Sequence, residues 1–311
     1  MAHALELVDL VMHHPTPAGL LRAVDGVDFA VETGETLGLV GESGCGKSTL
    51  ARCVVGLNTP TRGVVRLGGK VAGTARAERL ERAKRVQMVF QDPMSALNPR
   101  LTIRQIIEQP LKVHGEGTPA DRRKRVEMLM RQVGLGEHHL EHFPHELSGG
   151  QRQRVSIARA LTLEPDLIVC DEAVSALDVS VQAQVLNLLT DLQKRLGVAF
   201  LFISHDLAVI RYISNRIAVM YLGRIVEIGD SESVWQNAQH PYTRALIASI
   251  PDERAKRGVS LLTGDVPSPV NPPSGCAFRT RCPLSQPVCA EARPELSAAG
   301  RLHSVACHFA G

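Results

Sequence analysis

Three short stretches hold residue types whose spacing can do chemistry. The first, Gly41-Glu42-Ser43-Gly44-Cys45-Gly46-Lys47-Ser48, fits the pattern G-x-x-x-x-G-K-[ST]. Its glycines let backbone N–H groups converge on phosphate oxygens, and the helix expected to follow adds partial positive charge at its N-terminus. Lys47 supplies a full positive charge, Ser48 is placed to ligate Mg2+, and Thr49 extends the cradle. The second stretch, Leu167-Ile168-Val169-Cys170-Asp171-Glu172, is an apolar strand ending in two acids. Asp171 can hold Mg2+, through water, and Glu172 can take a proton from an attacking water. Two surface carboxylates at a strand end are an equally good reading in isolation, but a Mg2+-nucleotide site needs both a phosphate cradle and a metal acid. The third, Leu147-Ser148-Gly149-Gly150-Gln151, stands before a helical run and forms a second anion-binding helix start, or else a plain N-cap with a Gly-rich turn. One phosphate loop already serves one nucleotide. The spare site therefore points to a second nucleotide shared between two subunits.

These residues need a frame. The alternation Val27, Phe29, Val31 with Asp28 between reads as a half-buried strand, and residues 36–40 form a second strand running into the Gly-rich loop and a helix over 47–55. Apolar runs at 86–90, 167–170, 198–203 and 217–221 lack polar alternation, as strands buried on both faces should. A parallel sheet covered by helices is the simplest architecture. Thr118-Pro119 is an N-cap and first-turn pair ahead of Val126, Leu129, Met130 and Val133 on one face. Val181, Val185, Leu188, Leu189, Leu192 and Leu196 make another stripe, read as core packing. Residues 91–165 read as a helical subdomain inserted in the sheet domain. The first domain then spans 1–235, and 236–311 is a Pro-rich, Cys-containing extension appended to the sheet rather than continuing it.

Composition excludes several classes. Hydrophobic residues at 44% and charged residues at 22% of 311 describe an ordinary globular chain, not a disordered or fibrous one. No apolar run nears the ~18 residues of a membrane span, and the opening MAHALELVDL lacks the basic flank and apolar core of a signal peptide. A net charge of +3 with 1 Trp, 3 Tyr and 7 Phe offers little for phosphate-backbone attraction or base stacking, so nucleic acid is not an expected partner.

Taken together, the phosphate loop, the LSGGQ stretch and the acidic pair resemble the ATP-binding cassette of ABC transporters. The resemblance implies a P-loop α/β fold with a RecA-like parallel sheet, an N-terminal antiparallel sheet and an inserted helical subdomain. It also implies roles for further residues. Gln91 matches the glutamine that senses Mg2+ and the lytic water, Asp178 in Ser175-Ala176-Leu177-Asp178 matches the loop crossing the dimer interface, and His205 matches the histidine that contacts the γ-phosphate. An aromatic residue that stacks on adenine is usual upstream of the first strands. Here Met12, His13 and His14 stand instead, and His13 is the nearest substitute.

Narrower stretches resemble the ATPase subunits of dipeptide and oligopeptide importers: Phe90-Gln91-Asp92-Pro93, Asp171-Glu172-Ala173-Val174-Ser175, His240-Pro241-Tyr242-Thr243-Arg244 and Val266-Pro267-Ser268-Pro269. The Gly-Cys-Gly form of the loop is more like the second ATPase of such a pair. That family implies ATP and Mg2+ as ligands and a heterodimer with a homologous ATPase subunit. It also implies two integral-membrane permeases, an extracytoplasmic solute-binding protein and a peripheral position on the cytoplasmic face of the inner membrane. A soluble ABC-type ATPase acting on DNA or ribosomes is the rival, but such proteins insert a long coiled coil or carry tandem cassettes, and this chain has neither.

Four of the seven cysteines fall at the end, as Cys276-x5-Cys282-x6-Cys289-x17-Cys307. Zinc sites favour cysteines two to four residues apart, and disulfides do not suit a cytosolic protein. Four thiolates suit a [4Fe–4S] cluster, Pro283 after Cys282 echoes some cluster motifs, and the resembled family includes members with such a cluster. A [4Fe–4S] centre is therefore expected ahead of zinc or unligated thiols, and a redox-sensing tail that gates ATPase activity is compatible with either.

Overall fold

The computed structural model describes residues 3–250, 264–300 and 302–310. The chain opens with a long hairpin, β1 (His3–Thr16) and β2 (Gly19–Glu32), whose register closes at Thr16 against Gly19. β4 (Arg62–Leu67) and β5 (Lys70–Val71) join it in a four-stranded antiparallel sheet ordered β2-β1-β4-β5. β3 (Thr36–Val40) instead starts the main sheet, and α1 (Lys47–Val55) follows it directly across the Gly-rich loop. α2 (Arg76–Arg85) leads into β6 (Val86–Val89) at the far edge of that sheet.

The inserted segment is helical, as expected. α3 (Pro93–Ala96), α4 (Ile103–His114), α5 (Pro119–Gln132) and α6 (Gly149–Ala160) follow one another with two short 3-10 turns between the last pair. Thr118 caps α5 by accepting from the Asp121 N–H, and Val126, Leu129, Met130 and Val133 are all fully buried. The chain then returns to the sheet through β7 (Leu167–Asp171), α7 (Val179–Leu196), β8 (Ala199–Ser204), α8 (Leu207–Ile213) and β9 (Arg216–Tyr221). Of the stripe on α7, Val185, Leu189 and Leu192 are buried, while Leu196 at the C-terminal end stays 47% exposed.

The missing alternation of the central strands has a plain cause. Along β8, Phe200 and Phe202 enter one core and Ala199, Leu201 and Ile203 enter the other, and β7 divides likewise between Ile168 and Leu167. Each strand feeds two apolar layers at once. One layer lies under the antiparallel sheet with α1, the other under the helical segment.

With β10 (Arg224–Asp230), β11 (Ser297–Gly300) and β12 (His303–Val305), the main sheet runs β11-β12-β10-β9-β3-β8-β7-β6. β9, β3, β8, β7 and β6 are parallel, whereas β10 turns back antiparallel to β9. Beyond it lie β11 and β12, both from the C-terminal region. The expectation that this region does not continue the sheet is thus corrected: Glu227 pairs with Val305 and Gly229 with His303. The reason is chemical. Glu227 is wholly buried in β10, and its carboxylate needs the N–H groups of Gln239 and His240 and the ring of His303 at 2.8 Å. α9 (Ser231–Gln236) and α10 (Pro241–Ala248) fill the bend between these strands. Among the described residues no helix is long and apolar enough to cross a membrane.

Candidate functional site

The phosphate loop is shaped by close backbone approach. Gly46 has φ 112°, and a Cβ there would fall 2.0 Å from the Ala23 carbonyl oxygen; one at Gly41 would fall 2.2 Å from that of Met220. No side chain fits either place. Gly44, by contrast, meets nothing within 4 Å and lines a cavity of about 240 Å3 with Ser43, Gly46, Lys47, Ser48, Thr49 and Glu172. Cys45 is buried behind the loop, where burial raises its thiol pKa.

Lys47 is itself buried and curls back on the loop, donating to the carbonyls of Gly41 at 2.6 Å and Glu42 at 3.1 Å. Ser48 donates its hydroxyl to Asp171 Oδ1 at 3.0 Å, joining the loop to the end of β7 across 123 positions. Asp171 is buried, and its carboxyl pKa is raised by that burial, with the Glu172 charge adding to the effect and the Ser48 hydroxyl opposing it. An all-oxygen set of hydroxyl, carboxylate and the side-chain amide oxygen of Gln91 is the donor chemistry Mg2+ prefers.

Glu172 follows at φ 49°, a left-handed backbone that costs a non-glycine residue on the order of 1 kcal/mol or more. Its N–H is tied to the Ile203 carbonyl of β8 at 3.0 Å. Its two carboxylate oxygens have separate partners. Oε2 accepts from Gln91 Nε2 at 3.0 Å, and Oε1 lies 3.2 Å from His205 Nδ1. Glu172, Gln91 and His205, distant in sequence, are therefore brought to one place beside the loop.

Other expected residues are placed elsewhere. Ser148 and Gln151 form a reciprocal capping box at the start of α6, with Gln151 N–H donating to Ser148 Oγ at 3.3 Å and Ser148 N–H to Gln151 Oε1 at 2.9 Å. A Cβ on Gly150 would collide with Val181 at 2.5 Å, whereas Gly149 has ordinary room. Asp178 caps α7 through the Val181 N–H at 3.0 Å. None of these five lines the cavity. His13 points Nε2 at Asp25 Oδ1, 3.0 Å away, and is not among the cavity residues either.

Three cavity residues escape sequence reasoning: Leu21 and Ala23 of β2, and Pro269 from the C-terminal region, whose carbonyl accepts from the Arg22 N–H at 3.2 Å. No local pattern marks them as lining residues, since only the pairing of distant segments puts them there.

The tail cysteines lie close enough to influence one another, but their geometry does not mark a metal centre. The Cys276 N–H donates to the Cys289 carbonyl at 2.8 Å. Burial first, then the neighbouring cysteines, push the Cys276 thiol pKa upward, and burial raises those of Cys282 and Cys307 too. Among the described residues, however, no group of three or more His, Cys, Asp or Glu side chains is close enough to hold a metal ion, and Cys276, Cys282, Cys289 and Cys307 are free thiols. Packing accounts for the arrangement: Cys276 and Cys282 lie against the larger core, and Cys289 is buried.

Residues 24–175 match the ABC transporter family, and residues 226–289 match the oligopeptide/dipeptide transporter C-terminal region. The chain is 49% identical to the oligopeptide transport ATP-binding protein AppF of Bacillus subtilis, across 98% of this chain and 97% of that one. It is 50% identical to the corresponding OppF of Salmonella typhimurium, across 97% and 95%. Among solved structures, the ATP-binding cassette MJ0796, a dimer in a post-hydrolysis state with ADP and Pi, superposes with a TM-score of 0.66 at 29% identity, covering 73% of this chain and 98% of that one. CbiO1 of Clostridium perfringens, part of the ABC transporter complex cbiONQ, gives 0.68 at 27% identity, covering 75% and 91%.

Proposed function

This chain belongs to the family of oligopeptide/dipeptide ABC transporter ATP-binding proteins, and on that premise we propose how its residues run the cycle. It is the ATP-binding subunit of an oligopeptide ABC importer and hydrolyses ATP. In our reading the loop from Gly41 to Thr49 receives the phosphates, and Lys47 leaves the Gly41 and Glu42 carbonyls to meet them. Ser48, Asp171 and Gln91 would hold Mg2+, which when bound offsets the charge of the phosphate oxygens. Glu172 takes the proton of the attacking water, Gln91 and His205 hold its carboxylate from two sides, and His205 also steadies the γ-phosphate. On the nucleoside side we place Leu21, Ala23 and Pro269 as walls, with His13 as the residue offered for stacking on adenine.

The observation that carries this reading is the pair of contacts on Glu172, one to each carboxylate oxygen, beside the Ser48–Asp171 bond. Glu172→Gln is expected to keep MgATP binding while lowering turnover by about 10² to 10⁴, the usual cost of losing a general base. Single-turnover hydrolysis at a near-normal rate would remove Glu172 from that role.

Ser148, Gly149, Gly150 and Gln151 lie outside this chain's own cavity, which supports a second ATPase subunit presenting its equivalents across a head-to-tail interface with Asp178 nearby. We assign residues 1–235 to the cassette, with the helical subdomain at 91–165, and 236–311 to the extension. The partners on this reading are a homologous ATPase subunit, two membrane permeases that the helical subdomain pulls on, and an extracytoplasmic binding protein. The subunit then sits on the cytoplasmic face of the membrane, and nucleic acid has no part in its work. A [4Fe–4S] centre on the tail requires the four thiols to be drawn together and deprotonated. Iron and sulfide analysis of anaerobically purified protein decides it, and iron-free protein with four titratable thiols removes it.

A further inference from the structure

The phosphate loop contains a carboxylate, Glu42, where the most negatively charged part of the substrate must arrive. Each polar group of that residue is engaged. Its carboxylate oxygens accept from Arg281 Nη1 at 2.7 Å and Nη2 at 3.0 Å. Its N–H donates to Tyr242 Oη at 2.8 Å, and its carbonyl accepts from Lys47 Nζ at 3.1 Å. Arg281 and Tyr242 both come from the C-terminal extension, Arg281 lying 239 positions from its partner. The Arg281 side chain is 5% exposed. Tyr221, Tyr242 and Phe278 form a ring cluster beside it, with centroids 4.7 to 5.4 Å apart, and the guanidinium carbon is 6.0 Å from the Tyr221 ring. The hydrogen bonds that Arg281 donates to Glu42 raise the guanidinium pKa further, so it stays charged.

We infer that Arg281 is a positioning residue for the nucleotide, neutralising Glu42 and fixing the loop so that Lys47 is available to the phosphates. The inference rests on the reading that residues 41–49 bind those phosphates. Without Arg281, the Glu42 carboxylate would compete with ATP for the Lys47 ammonium and would repel the incoming phosphates, both in a partly desolvated site where charge interactions are strong. The bidentate fork matters as well as the charge. It holds the carboxylate in one orientation, which the single ammonium of a lysine cannot do. The extension, through this pair and the Pro269 wall, becomes part of the nucleotide site.

Steady-state ATP hydrolysis by the full chain, in its assembled transporter, reads the effect. Arg281→Met is expected to raise KM for MgATP about tenfold, equivalent to about 1.4 kcal/mol, while kcat stays within about threefold. Arg281→Lys should fall between Arg281→Met and wild type. Adding Glu42→Gln to Arg281→Met should return KM to within about threefold of wild type, because the charge that needed neutralising is gone. An unchanged KM in Arg281→Met, or a Glu42→Gln substitution that only adds its own cost to the double variant, overturns the inference. Should Arg281→Met fail to fold, Arg281→Lys carries the test, and a wild-type KM there overturns it equally. If Lys47→Ala binds MgATP as tightly as wild type, the phosphate-loop reading falls instead, and the two failures are distinguishable.

Discussion

Asp171 is the residue at which burial and metal chemistry pull in opposite directions. Folding raises its pKa, so the charged form costs stability above the ordinary aspartate range, and that cost is relieved as pH falls through the raised value. Mg2+ needs the charged form. Acidification should therefore weaken MgATP binding at a higher pH than an ordinary carboxylate of pKa about 3.9 would impose. Binding isotherms across pH with Mg2+ and with EDTA test this, since only the Mg2+ series should carry the dependence. A carboxylate titrating in the ordinary range in both series would refute it. Sequence reasoning reaches Asp171, Lys47 and Ser48 readily, because a loop, its following helix and a strand ending in acids leave local marks. It does not reach Arg281, Tyr242 or Pro269. Each owes its place to a partner hundreds of positions away, and nothing in the flanking residues names that partner.

At the scale of elements, the bend between β10 and α10 has a cap that works in one protonation state. His240 Nδ1 accepts from the Tyr242 N–H at 3.1 Å, which requires that nitrogen to be unprotonated. Burial depresses the His240 pKa to about 4, against the opposing charge of Glu227. The sign follows from linkage: the unfolded chain binds the proton first, so this contribution is complete above the unfolded value of about 6.5 and is lost as pH falls toward 4. Chemical denaturation of the full chain should show stability dropping over that interval, by an amount on the order of 3 kcal/mol from this group. His240→Asn, whose side-chain oxygen can cap without titrating, should flatten the profile. An identical slope in the variant would clear His240 of the effect. The same bend explains why β10 and its C-terminal neighbours are hard to read in sequence. Glu227 interrupts an apolar run at a buried position, and only the two backbone N–H groups and His303 that satisfy it make the strand tolerable.

For the whole molecule, the decisive fact is separation. The phosphate loop and the helix start at Ser148 belong to one chain, yet they do not share its cavity. A working site on our reading takes one from each of two subunits. Mixing a transporter assembled with Lys47→Ala in this subunit against one with Ser148→Arg should show which composite site each lesion silences. Lys47→Ala should abolish nucleotide binding to this chain, whereas Ser148→Arg should leave that binding within about twofold and block ATP-dependent closure with its partner. Loss of binding by this chain in Ser148→Arg would place the signature in its own site. The parallel core, the helical insertion and their order are legible because periodicity and turn chemistry repeat over many residues. The antiparallel edge is not, since β11 and β12 are short, and Ser297–Gly300 is exposed throughout.

The pairing of Glu42 with Arg281 also has a kinetic side. Closing the chain across that separation costs little more entropy than closing β3 on β9, because the cost grows only with the logarithm of the loop length. Competence for ATP is therefore expected to appear together with the main sheet, and refolding followed by ATP binding and by far-UV signal should show the same slow phase in both.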